Sequence, residues 1–135
     1  MSTTIRNKIS KKNKYYISKY RTLELRNFCR QYYEWETEYN NLLYLSARSN
    51  NEIKSRNSVN CTEDIAIKAT ELKNRMDIVR SACHESEPEI EKYIFKSLTE
   101  GISYTNLRTK SDIPCGADLF YDRWRKALWL IDKKR

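Results

Sequence analysis

Only two of the 135 residues are glycine, Gly101 and Gly116, and only two are proline, Pro88 and Pro114. Sheet-rich domains need many more turn residues, so this scarcity predicts an all-α fold. It also leaves no glycine-rich phosphate loop and no nucleophile elbow. The only histidine, His84, sits beside Glu85 near the expected end of a helix, where a cationic ring suits the helix dipole. The four cysteines, Cys29, Cys61, Cys83 and Cys115, are scattered without a CxxC pair, so no zinc site is expected. Cys29 and Cys83 fall on apolar helical faces and read as buried, reduced thiols. No apolar run approaches the ~20 residues of a membrane-spanning helix, and the first residues lack an apolar signal region. The expectation is therefore a cytoplasmic protein, with no membrane partner, no metal, no cofactor and no enzymatic activity.

What the chain does have is charge, unevenly spread. Residues 1–31 carry nine Lys and Arg against Glu24 alone, residues 32–100 carry nine against thirteen Asp and Glu, and residues 101–135 carry eight against four. Basic ends around an acidic middle, with a formal net charge of +8, favour contact with a polyanion. The first fourteen residues are poor in apolar side chains and hold Arg6, Lys8, Lys11, Lys12 and Lys14. They are expected to form a disordered basic arm, 1–14, within reach of DNA.

A long helix is expected over Tyr15 to Ala47, where Leu25, Phe28, Tyr32, Trp35, Tyr39 and Leu42 recur at spacings of three and four. Ile65, Ala69, Leu72, Met76, Val79 and Cys83 repeat the pattern on a second helix, which Thr62 or Asn60 is placed to cap. The two patterns predict an antiparallel helical hairpin over 15–84 joined by a polar connection, Ser46 to Cys61. A homodimer built through the same seam is the alternative. Tyr15, Tyr16 and Tyr20 beside Lys14, Lys19 and Arg21 also have the composition of a stacking surface for single-stranded nucleic acid.

The last unit, 85–135, organises the rest. Ser86 and Glu89 have capping-box spacing ahead of the apolar stripe Ile90, Ile94 or Tyr93, and Leu98. Gly101 is suited to close that helix in a left-handed conformation. Ser103 then caps a short helix from Tyr104 to Arg108 or Thr109. Pro114 enforces a turn over Thr109 to Cys115, with Ile113 plugging the space between helices. Gly116 and Ala117 open the last helix, whose core face at about 100° per residue is Phe120, Trp124, Ala127, Leu128 and Ile131. This is the pattern of a three-helix helix-turn-helix unit.

A recognition helix enters the major groove with its N-terminal turns, where arginine pairs with guanine and a carboxylate accepts from cytosine. Asp118, Tyr121, Asp122 and Arg125 are the candidates for base contact. Ser103, Tyr104, Arg108, Lys110, Arg123 and Lys126 are the candidates for phosphates, which supply affinity but little sequence information. Trp129, on the side away from Phe120, is the candidate protein contact.

The run from Gly101 to Lys126 also resembles a known family. Gly101, Ile102, Ser103, Tyr104, Leu107 and Arg108, then Ile113, Pro114, Cys115 and Gly116, then Phe120, Tyr121, Arg123, Arg125 and Lys126 are similar to the reader of phage and prophage late-transcription regulators of the ArpU- and RinA-like group. That module is itself similar to the fourth region of sigma factors. The resemblance spans roughly Glu87 to Lys133; Trp124 and Trp129 depart from it, standing where the family has arginine or smaller aromatics. It implies a DNA-binding activator of phage structural, packaging or lysis genes; because one reader of this size touches only part of a site, dimeric binding to half-sites or docking on RNA polymerase is expected. Two other readings fit the composition: a DNA-binding component of a packaging complex, and a protein-interaction or inhibitor module with a basic surface.

Overall fold

The structure, a computed structural model, describes the backbone of residues 12–51 and 56–135 and the side chains of 12–48 and 62–135. Most of the expected basic arm, residues 1–11, lies outside the described residues. The fold is all-α: α1 (Lys19–Arg30), α2 (Tyr32–Asn51), α3 (Arg56–Ser86), a single 3₁₀ turn (Pro88–Ile90), α4 (Glu91–Glu100), α5 (Tyr104–Lys110) and α6 (Ala117–Lys134). Among the described residues no helix is long and apolar enough to cross a membrane.

The chain divides into two compact units, and the division is not the expected one. Unit 2 is Tyr32–Asp77, while unit 1 joins Ile78–Arg135 to the residues up to Gln31. The expected helix over 15–47 is broken at Gln31, whose N–H donates to the Phe28 carbonyl three residues back at 3.2 Å rather than four. Tightening of this kind ends α1 without glycine or proline. The apolar seam is thereby split. Leu25, Phe28 and Cys29 are buried in unit 1, whereas Tyr32 and Trp35 are buried in unit 2. The helix also starts later than expected, at Lys19. Tyr15 instead lies in a turn made by Asn13, whose side-chain oxygen accepts from the Tyr15 N–H at 2.8 Å.

In unit 2 the hairpin is formed as expected, with a shorter connection. α2 continues to Asn51 and α3 begins at Arg56, so Ser46 to Cys61 is mostly helical, and neither Thr62 nor Asn60 is the cap. This stretch contains no glycine or proline to stop either helix. Lys68 Nζ lies 3.5 Å from Glu38 Oε2, and the two residues are almost equally distant along the chain from residues 52–55, which is the register of an antiparallel pair. Ala69, Leu72 and Met76 of α3 are buried, as the spacing predicts.

Unit 1 is a bundle in which α1 packs on α4 and α6, and α5 packs on both. Val79, Ala82 and Cys83 of α3, Ile94 and Leu98 of α4, and Phe120, Leu128 and Ile131 of α6 fill its core. Each Val, Ile, Leu or Phe among them contributes roughly 1.5–3 kcal/mol when fully buried. Cys29 and Cys83 are both wholly buried thiols. The capping box expected at Ser86 and Glu89 is absent. Ser86 ends α3, and its hydroxyl donates to the Arg123 carbonyl at 2.5 Å, tying α3 to α6.

Candidate nucleic-acid interface

The geometry of the C-terminal unit starts at Gly101, with φ of 73° and its N–H donating to the Ser97 carbonyl at 2.8 Å. Ser97 also donates its hydroxyl to the Ile102 carbonyl at 2.7 Å, which fixes the elbow between α4 and α5. Ser103 is the N-cap of α5, and its hydroxyl accepts from the Asn106 N–H at 3.3 Å. Beyond α5, Cys115 donates its N–H to the Ile113 carbonyl at 2.8 Å across Pro114. The fixed φ of proline suits that three-residue turn. Ile113 is buried between the helices as the sequence predicts.

Tyr104 holds this arrangement rigid. Its hydroxyl donates to the Cys115 carbonyl at 2.6 Å, its N–H donates to the Tyr121 hydroxyl at 3.1 Å, and its ring stands 5.3 Å from that of Phe120. One residue thus ties the start of α5 to the turn and to α6. This corrects two expectations. Tyr104 is 6% exposed and is a core residue rather than a phosphate contact. Tyr121 turns its hydroxyl toward α5 and its ring toward Trp124, 6.0 Å away, rather than toward a groove.

The remaining candidates separate along α6. Asp118 and Leu119 in the first turn are exposed, and Asp122 and Arg125 are half-buried on the same outward face. Arg125 Nη1 donates to the Tyr121 carbonyl at 3.5 Å, so its stem runs back along the helix. Arg123 is engaged by carboxylates: Nη1 lies 3.4 Å from Asp122 Oδ2, and Nε lies 3.9 Å from Glu87 Oε2, too far for a hydrogen bond. It belongs to the protein's own ion pairs more than to a phosphate. Arg108 and Lys110, at the end of α5, are exposed.

The second half of the outward face is covered by the chain itself. The Tyr15 ring packs edge-on against Trp129 at 5.3 Å, with Lys126 Nζ 6.0 Å from the Tyr15 ring and Lys133 Nζ 4.3 Å from that of Trp129. Trp129 is therefore half-buried and is not the free aromatic surface expected of a protein contact. Tyr15 is likewise committed, whereas Tyr20 is 77% exposed. No periodicity could reveal this, because Tyr15 meets α6 through tertiary structure alone.

The three described free thiols are all shifted in the same direction. Burial pushes the Cys29 thiol up to about 12, and Cys83 is raised by burial first and then by Cys29 and Glu91. Cys115 is also raised, by partial burial and by Glu87. Burial of this kind disfavours the thiolate, which is the reactive form. His84 Nδ1 lies 2.9 Å from Glu91 Oε1 across the α3–α4 junction. Among the described residues no group of three or more His, Cys, Asp or Glu is placed to hold a metal ion. Comparison of the chain with protein-family models, with curated proteins and with solved structures finds no match.

Proposed function

We propose that this protein is a sequence-specific double-stranded DNA-binding transcriptional regulator, with α5 and α6 as the two helices of the reader. The observation that carries the reading is the division of α6. Its second half is covered by Tyr15, while the first turns, with Asp118, Asp122 and Arg125, remain outward on a frame braced by Tyr104. A recognition helix needs both properties, since base contacts come from its first turns and must be held in fixed geometry. The basic ends of the chain supply the non-specific attraction to phosphates. The resemblance over Glu87 to Lys133 supports a narrower reading as a phage or prophage late-gene activator acting in the bacterial cytoplasm with RNA polymerase. A homodimer on paired half-sites belongs to this reading, because one reader of this size covers only part of a site.

Two substitutions test the roles. Arg125→Ala is expected to cost roughly 1–3 kcal/mol and to relax preference at one base pair in a selection from randomised duplexes. Lys126→Ala is expected to weaken every duplex alike and to lower the salt dependence. An equal loss on all sequences for Arg125→Ala would reassign that residue to a phosphate, and no loss for either would remove α6 from the interface.

A further inference from the structure

A cleft of about 190 Å³ opens between α1, the α4–α5 elbow and α6, and its walls include Arg26, Asn27, Arg30, Gly101, Ser103 and Trp124. No acidic side chain lines it. Arg26 and Arg30 are four residues apart and so share one face of α1. Among the described residues neither makes an ion pair or a hydrogen bond through its guanidinium. Arg26 instead lies over the Trp124 ring, its Cζ 5.6 Å from the centroid. The Arg30 guanidinium rests against the backbone of Gly101, where any Cβ would collide with it. Trp124 is 8% exposed, and its indole N–H is buried without an acceptor.

Every free polar feature among these three side chains is a donor. Two guanidiniums without carboxylates both lack a negatively charged oxygen. Arginine's planar fork matches the geometry of phosphate, and aromatic stacking holds such a fork in place before the ligand arrives. The buried indole N–H is not open to a ligand; what Trp124 offers the cleft is its ring face, with Arg26 held over it. The position is also informative, because the cleft borders Ser103, the residue that starts the first helix of the proposed reader.

We propose that this cleft seats one phosphate group of the DNA backbone, with Arg26 and Arg30 as its ligands and Trp124 as the wall that orders them. The proposal rests on the DNA-binding reading and extends it. The interface then includes α1, which lies more than 70 residues before α5 in the chain and brings basic charge from the N-terminal third to the reader. Arg30 can approach only because residue 101 has no side chain, so the glycine that closes α4 also shapes the seat.

The test uses the full chain and a short duplex retained by the unmodified protein, with affinity measured across a series of salt concentrations. The Arg26→Gln, Arg30→Gln double variant is expected to lose affinity on all duplexes alike, and the slope of log K against log salt should fall by about 1, the value for one phosphate. The Arg26→Lys, Arg30→Lys variant, which keeps both charges, should retain most of the slope. Thermal unfolding of each variant shows whether it is folded. An unchanged slope in a folded glutamine variant would overturn the seat while leaving the DNA-binding reading intact. Failure of the unmodified protein to bind any duplex would sink the DNA-binding reading instead. A titration with inorganic phosphate, read by Trp124 fluorescence in a Trp35→Phe, Trp129→Phe background, then decides the cleft. Saturable quenching that the glutamine variant loses is the expected result; the same quenching beside an unchanged duplex slope would assign the cleft to a free phosphate-bearing ligand and overturn the DNA source. No quenching would overturn the seat.

Discussion

Gly101 is the one described residue with a positive φ, at 73°. A side chain there costs about 1–2 kcal/mol in the left-handed region, and the Arg30 guanidinium must also move aside. Gly101→Ala is therefore expected to lower unfolding free energy by about that amount, measured by urea titration. Gly116→Ala, where nothing stands within 4 Å of the new Cβ and φ is −83°, should change it little. The buried thiols give a second prediction, with its sign fixed by linkage. Folded Cys29 holds its proton up to about 12 against an ordinary value of 9.0. Its contribution to stability is complete below about pH 9 and is lost as pH rises from there through about 12, at no more than ~1.4 kcal/mol per pH unit. Urea titrations across that range should show a steeper decline than in a Cys29→Ala, Cys83→Ala variant. At this scale the sequence was legible where a residue acts on its own backbone: Gly101 and Ser103 do what their types predict. It was silent where a side chain's partner comes from elsewhere in the chain. Tyr104 reads as an exposed helix-start tyrosine until Cys115 and Tyr121 are brought against it, and Trp129 reads as exposed until Tyr15 covers it.

At the scale of elements, the three- and four-residue spacings located most of the buried apolar side chains, because burial of one helical face is a local property of the sequence. Tyr39, Leu42 and Ile65 are only half-buried, and the spacings missed Ala82 and Leu107. They did not locate the break at Gln31 or the extent of α2 and α3. Leu25 to Leu42 is periodic across the break, so a single helix satisfies the pattern as well as two. The consequence is physical. α1 serves the core of unit 1, and the expected hairpin over 15–84 gives up the N-terminal part of its first helix, up to Gln31, to the C-terminal bundle. The same reasoning predicts where damage is concentrated. Leu128, 1% exposed in α6, should cost about 2–5 kcal/mol when truncated to alanine. Hydrogen exchange should then show lost protection in α1 as well as in α4 and α6. Loss confined to α6 would mean that α1 does not share this core.

For the whole molecule, the basic ends and acidic middle acquire a spatial meaning. The N-terminal segment from Lys12 to Arg30 belongs to the same unit as the basic C-terminal helices, while eight of the thirteen acidic residues of 32–100 lie in unit 2. Charges separated by about a hundred residues in sequence thus work on one body. Arg21 is paired with Asp132, and Lys126 stands over Tyr15. This concentration of positive charge around an outward helix is the basis of the central claim, that unit 1 reads double-stranded DNA. The most direct test is retention of short duplex fragments, cut from the genomic neighbourhood of the coding sequence, by the purified full chain at low and at physiological salt with excess competitor DNA. Selective retention of one fragment that persists at the higher salt is the expected result. Retention of every fragment at low salt and of none at the higher would reduce unit 1 to a basic surface, and no retention at either would contradict the account.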